Sequence, residues 1–142
     1  MIKIQSSNFK RLIGIWQTEG TVFTEKGNLK LVGLDSYEFI LDGNYILHKA
    51  DVKMGNEKSE TLEIIALDCS AEKGKMEYYN SKGESGVMTS FLINNNFKIN
   101  GDKIKFEGTI NEENTELTGR WLLQTGNYQW TDFIDLKLTK QN

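Results

Sequence analysis

Gly14-Ile15-Trp16-Gln17-Thr18-Glu19-Gly20 is the stretch whose reading decides the fold. Just upstream, Ser6-Ser7-Asn8-Phe9-Lys10-Arg11-Leu12-Ile13 reads as one or two helical turns. Ser6 or Ser7 can cap them, and Phe9, Leu12 and Ile13 share one face at i, i+3 and i+4. Gly14 ends that turn. From Gly14 onward apolar residues recur with period two, the alternation of a strand with one buried face. Trp16 is then the first large inward side chain of a β structure. It is expected to plug one end, with the helical lead-in closing the same end.

Working outward, turn residues cut the chain into strand-length pieces. Expected strands lie at about 14–24, 29–41, 44–54, 60–68, 75–80, 86–93, 97–100, 103–110, 115–124 and 128–139. Asp42-Gly43-Asn44 is the strongest hairpin signal, because Asp-Gly suits the positive-φ positions of a type I′ turn. No piece is long enough for a crossover helix, so consecutive hairpins form an up-and-down antiparallel meander. A sheet of about ten such strands tends to close, since closure removes its exposed edges. The expected fold is all-β: a single up-and-down antiparallel barrel of about ten strands with a short N-terminal helix, one domain over residues 1–142.

Composition agrees with this. The 142 residues carry 17 basic and 20 acidic side chains, 13 glycines and no proline, so glycine does the turning and no ladder donor is lost to proline. A chain of this size can bury a core without disulfides or metals, and the lone Cys69 provides no cross-link. No cysteine–histidine cluster suggests a structural metal. No basic block or basic–aromatic stripe suggests nucleic acid. No run approaches the ~18 apolar residues of a membrane helix, and no apolar leader follows Met1, so a cytoplasmic location is expected.

Alternation then assigns inner faces. In residues 44–54, Ile46, His48, Ala50, Val52 and Met54 share the apolar face, which places the only histidine inside. The same test turns Leu62, Ile64 and Ala66 inward, with Met76, Tyr78 and Asn80, with Ile104, Phe106 and Gly108, and with Leu117, Gly119, Trp121 and Leu123. It also turns inward Tyr128, Trp130, Asp132, Ile134, Leu136 and Leu138, and Trp16, Thr18, Gly20 and Val22. Residues 36–41 are ambiguous, so Glu38 competes with Tyr37 for the interior. An apolar interior with a few convergent polar groups has the composition of a ligand pocket. The candidate ligand-binding residues are Thr18, His48, Tyr78, Asn80, Trp121, Trp130 and Asp132.

Gly14-x-Trp16 after a short helix, at the head of the first strand, resembles the signature of the lipocalin and fatty-acid-binding-protein superfamily, the calycins. Leu41-Asp42-Gly43-Asn44-Tyr45-Ile46-Leu47, Ile65-Ala66-Leu67-Asp68, Tyr78-Tyr79-Asn80-Ser81-Lys82-Gly83 and a final strand containing Trp130 are similar to the bacterial DUF1579-type branch. The resemblance implies a small barrel that binds a hydrophobic or amphipathic small molecule, with no established reaction; no cofactor is expected. It also implies a basic residue on the last strand packed over the motif tryptophan, for which Lys137 and Lys140 are the candidates. A neighbouring, nitrobindin-like haem barrel would need an axial histidine, and only His48 is available.

Three functional readings follow. In the first, the barrel holds a small apolar or amphipathic molecule. In the second, His48 and Asp132 form an acid–base pair in an enzyme pocket. In the third, the barrel is packed and homodimerises through an outer apolar strip of Tyr45, Leu47, Ile65, Leu67, Tyr79 and Leu122.

Overall fold

Ten antiparallel strands close on themselves: β1 (Gly14–Thr24), β2 (Gly27–Ile40), β3 (Tyr45–Met54), β4 (Glu57–Leu67), β5 (Lys73–Asn80), β6 (Ser85–Ile93), β7 (Asn96–Asn100), β8 (Ile104–Ile110), β9 (Glu116–Gln124) and β10 (Trp130–Lys140). The structure, a computed structural model, describes residues 2–141. Each strand pairs with its sequence neighbour, and β10 returns to β1 in the register Trp16↔Lys140 to Val22↔Ile134. The expected ten-strand meander is therefore observed, and its edges are gone. Among the described residues no helix is long and apolar enough to cross a membrane.

The lead-in forms two 3₁₀ turns, Ile4–Ser6 and Asn8–Leu12, the second capped by the Ser7 hydroxyl accepting from Phe9 N–H. Ile4, Phe9 and Leu12 are fully buried against Trp16, also fully buried, so this end of the barrel is stoppered. The Trp16 indole N–H donates to the Leu12 carbonyl at 2.9 Å, which satisfies its one donor. Lys140 places its ammonium 4.8 Å above the Trp16 ring and donates to the Arg11 carbonyl. The basic partner of the motif tryptophan is thus Lys140, and Lys137 is exposed.

Arg11 fastens the same end. Its guanidinium donates to Asn114 Oδ1 and the Asn94 carbonyl, both at 2.6 Å, to Asn95 Oδ1 at 2.9 Å and to the Asn111 carbonyl at 3.0 Å. The lead-in is thereby tied to the β6–β7 and β8–β9 turns. On the other side, Lys3 pairs with Asp42 at 2.8 Å and Gln5 N–H donates to the Gly43 carbonyl. The β2–β3 connection spans residues 41–44, with Leu41, Asp42 and Gly43 all at positive φ, and is wider than a two-residue hairpin. A Cβ at Gly43 would lie 1.9 Å from the Gln5 side chain, so glycine lets the lead-in dock here.

Register corrects two inner faces. In β4 the inward residues are Thr61, Glu63, Ile65 and Leu67, because β4 pairs with β3 as Ile46↔Ile65 and His48↔Glu63. Leu62, Ile64 and Ala66 face outward instead. The run Ile64-Ile65-Ala66-Leu67 is apolar on both faces, so its composition does not select one. In β10 the pairing shifts between Asp132 and Ile134, and this bulge at Phe133 reverses the alternation. Ile134, Leu136 and Leu138 point inward, while Trp130 and Asp132 turn outward, and Tyr128 lies exposed in the preceding loop.

Candidate functional site

His48 is the centre of a buried polar cluster built from three adjacent strands. Alternation along β3 turns it inward, and the pairings Tyr37↔His48 and His48↔Glu63 set a neighbour on each side. Asp35 lies two residues before Tyr37 on the same face of β2. His48 Nε2–H donates to Asp35 Oδ1 at 2.6 Å, and Nδ1–H donates to Glu63 Oε1. The Thr18 hydroxyl, from β1, donates to Asp35 Oδ2. Tyr37 lies flat on the imidazole, with ring centroids 4.0 Å apart.

Both ring nitrogens face carboxylates, so the imidazolium is the fitting form. Burial alone would pull the His48 pKa down; Glu63 and Asp35 together outweigh it and push it up to about 10. Tyr37 is driven well above its ordinary value by burial and then by the same two carboxylates. With His48 protonated and both carboxylates ionised, the cluster carries one net negative charge.

Above the cluster the barrel opens. At the stoppered end, inward side chains such as Ile46, Ile65, Met76, Leu92 and Ile110 are essentially sealed. At the opposite end, Met54, Thr61, Tyr78, Met88, Ile104, Trp121 and Leu136 also face inward yet are only partly buried. Partial exposure of these inward side chains places them at the water-touching mouth of the barrel, its lumen. Val22, Leu31, Val52 and Ile134 pack together toward this end, with Met54, Trp121 and Leu136 against them. The polar cluster forms the floor of the lumen, with about a tenth of the His48, Asp35 and Glu63 side chains exposed. Two shallow depressions of about 420 and 410 Å3 lie elsewhere, outside the wall over Gly20 and over Gly108 and Gly119, among mixed charged and polar side chains.

The structure divides the sequence candidates. Thr18 and His48 belong to the floor cluster, and Tyr78 and Trp121 to the lumen wall. Trp121 rests 5.2 Å from the Phe106 ring. Asn80 is inward by parity but caps the β5–β6 turn, its side chain bonding Lys82 N–H, Glu84 N–H and the Glu84 carboxylate. Trp130 and Asp132 are outside, contrary to expectation: Trp130 is 38% exposed under the Lys105 ammonium, and Asp132 pairs with Arg120 at 2.8 Å. The bulge at Phe133 is the reason. Glu38 is exposed as well.

These placements dissolve two alternatives. A His48/Asp132 pair does not exist, because the two side chains lie on opposite sides of the wall. An imidazole kept protonated to about pH 10 also offers no lone pair for general-base work near neutrality. Haem does not fit His48 for the same reason: both nitrogens already donate to carboxylates, and neither is free to ligate iron.

Sequence reasoning missed Asp35, Glu63 and Tyr37. Asp35 and Glu63 carry no inward signal of their own and meet His48 only once β2 and β4 are registered against β3. The one available signal was the lone inward histidine, whose two nitrogens require partners.

No family model and no curated protein matches the sequence. Among solved structures, the chain is similar to Rv2717c from M. tuberculosis, with a TM-score of 0.76 at 8% identity over 100% of this chain and 99% of that one. It is also similar to the S-type phycobiliprotein lyase CPES from Guillardia theta, with a TM-score of 0.63 at 11% identity over 94% of this chain and 90% of that one. At such identities the likeness is one of fold alone. The chain shares the fold of these structures, here a closed antiparallel barrel of ten strands.

Proposed function

We propose that this barrel binds a small apolar or amphipathic molecule in the open half of its lumen. The supporting observation is the gradient of burial along the inner wall, from sealed at Trp16 and Ile65 to solvent-touching at Thr61, Tyr78, Met88 and Trp121. The wall is apolar and aromatic, and the Asp35–His48–Glu63 cluster supplies the few polar groups that orient a ligand. Placement in the DUF1579-type branch is part of the same proposal and rests on the short segments at 41–47, 65–68 and 78–83. The test is titration with 1-aminoanthracene, a neutral apolar fluorophore. Saturable 1:1 enhancement is expected, and Met88→Trp, which fills the lumen, removes it. No enhancement, or enhancement unchanged by Met88→Trp, refutes the proposal.

The outer wall favours a second reading, homodimerisation. Tyr45, Leu47, Leu62, Ile64, Tyr79 and Val87 adjoin one another across β3–β6 on the outside, with Val87 60% and Tyr79 51% exposed. Ile65 and Leu67, expected in this strip, are inward, and Leu62 and Ile64 take their places. Lys49, Lys75, Glu38 and Glu77 border the patch with both signs, which suits a two-fold pairing of the patch with a second copy. Sedimentation velocity across a concentration series should show a dimer that Val87→Glu dissociates; a monomer throughout removes this reading.

A further inference from the structure

We propose that the lumen selects amphipathic cations over amphiphiles with anionic heads. This rests on the binding reading above and adds the chemistry of the head group.

The charged side chains at inward positions among the described residues are Asp35, His48, Glu63, Lys140 and, exposed at the rim, Glu57. Lys140 is spent at the stoppered end, over Trp16. No arginine or lysine therefore faces the open half of the lumen to receive a carboxylate or sulfate. The floor instead holds two carboxylates around one imidazolium.

One acceptor in that floor is left over. Among the described residues, Glu63 accepts from His48 through Oε1, and no protein donor reaches Oε2. Among the described residues no sealed polar side-chain atom lacks a partner, so Oε2 must keep contact with solvent although Glu63 is only 6% exposed. Its strand register points it into the lumen. The Tyr37 hydroxyl is in the same position: among the described residues it has no protein partner, it is not sealed, and the residue is 6% exposed. A ligand that donates to Glu63 Oε2 and carries positive charge would neutralise the floor and complete its hydrogen bonding. An anionic head would meet a carboxylate in a low-dielectric setting that screens poorly.

The wall agrees. Tyr78 and Trp121 are inward and half-buried beyond the floor, and aromatic faces attract a cation. The remaining wall, Met54, Met88, Ile104 and Leu136, suits an alkyl or aryl tail. The class this points to is a protonated amine with an apolar body.

Calorimetric titration at pH 7.5, below micelle-forming concentrations, with decylammonium, 1-decanol and decanoate tests this. Decylammonium should bind at least tenfold more tightly than decanoate, with 1-decanol between them. Glu63→Gln should narrow that gap. Thr61→Lys, which adds a cation at a half-buried lumen position, should reverse the order while leaving the circular dichroism spectrum unchanged. If 1-decanol binds but decylammonium is no tighter than decanoate, the charge selection is wrong and the lumen reading stands. An order that survives Thr61→Lys in a folded variant also overturns the selection. If none of the three binds, both fall.

Discussion

The Tyr37 ring lies parallel to the His48 imidazolium, with planes 2° apart and centroids 4.0 Å apart. The stack closes one face of the cation, while Asp35 and Glu63 take its two N–H groups in the ring plane. A charge buried inside a small barrel is thus enclosed on three sides by groups that stabilise it.

Stability should therefore fall at alkaline pH. The folded-state pKa of His48, about 10, lies above its ordinary value of 6.5. Its contribution is fully present below 6.5 and is lost as pH rises through 10, because the folded state retains a proton that the unfolded chain has released. The slope reaches at most about 1.4 kcal/mol per pH unit in that window. Groups facing His48 are Asp35, Glu63 and Tyr37, and Tyr37, held protonated by burial and by both carboxylates, does not oppose the trend below pH 10. Denaturant melts from pH 6 to 10 should show the decline, and His48→Gln should flatten it. A wild-type midpoint constant across this range would contradict the assignment.

Removing the cation should cost more than removing the whole cluster. His48→Leu leaves Asp35 and Glu63 facing an apolar side chain, with the proton-mediated links to both broken. A loss of about 3–5 kcal/mol is expected for such an uncompensated buried charge. The triple change with Asp35→Asn and Glu63→Gln should recover part of it, since no ionised group is then stranded. Equal destabilisation of the single and triple variants in urea would show that packing, not charge, accounts for the effect.

The barrel was legible because its signal is repeated: each hairpin carries a turn, and each strand alternates. The strand bounds read at 14–24 and 97–100 differ from β1 and β7 by no more than a residue. Less was legible at the site, where single-strand parity is fragile. One extra residue at Phe133 sent Asp132 and Trp130 outside, and nothing in the pattern around 128–139 marks that bulge. In β4 both faces are apolar near Ile64 and Ile65, so only cross-strand pairing decides that Glu63 faces His48. Asp35 and Glu63 are distant in sequence and meet only through β3. Side-chain partners of that kind follow from register, which no local window contains.

Arg11 is expected to act as the latch of the stoppered end. Its side chain spans the Asn94–Asn95 and Asn111–Asn114 turns with four donated hydrogen bonds. Arg11→Met keeps the stem and removes the donors. A cost of about 1.5–3 kcal/mol is expected, the range for hydrogen bonds involving a charged partner. Hydrogen exchange should quicken first at Asn95, Asn111 and Asn114, and the floor around His48 should be unaffected. Uniform acceleration across all strands would mean that the lead-in is not a separable latch.

Two inward glycines should respond unequally to alanine. At Gly20 an added Cβ would lie 2.0 Å from the Asp135 carbonyl oxygen, a backbone atom fixed in the β1–β10 seam. Gly20→Ala must therefore shift the seam that closes the barrel, and a loss of about 3 kcal/mol or more is expected, at the upper end for an overpacked core. At Gly86 the added Cβ would lie 2.8 Å from the tip of the Tyr78 ring, which can rotate away. Gly86→Ala should cost only about 1 kcal/mol but swing Tyr78 into the lumen, weakening 1-aminoanthracene binding. Adding Tyr78→Ala should restore that binding, because the displaced ring is then gone. If Gly86→Ala weakens the probe equally with and without Tyr78, the ring is not the gate of the lumen; if Gly20→Ala is as mild as Gly86→Ala, the seam is looser than its register indicates.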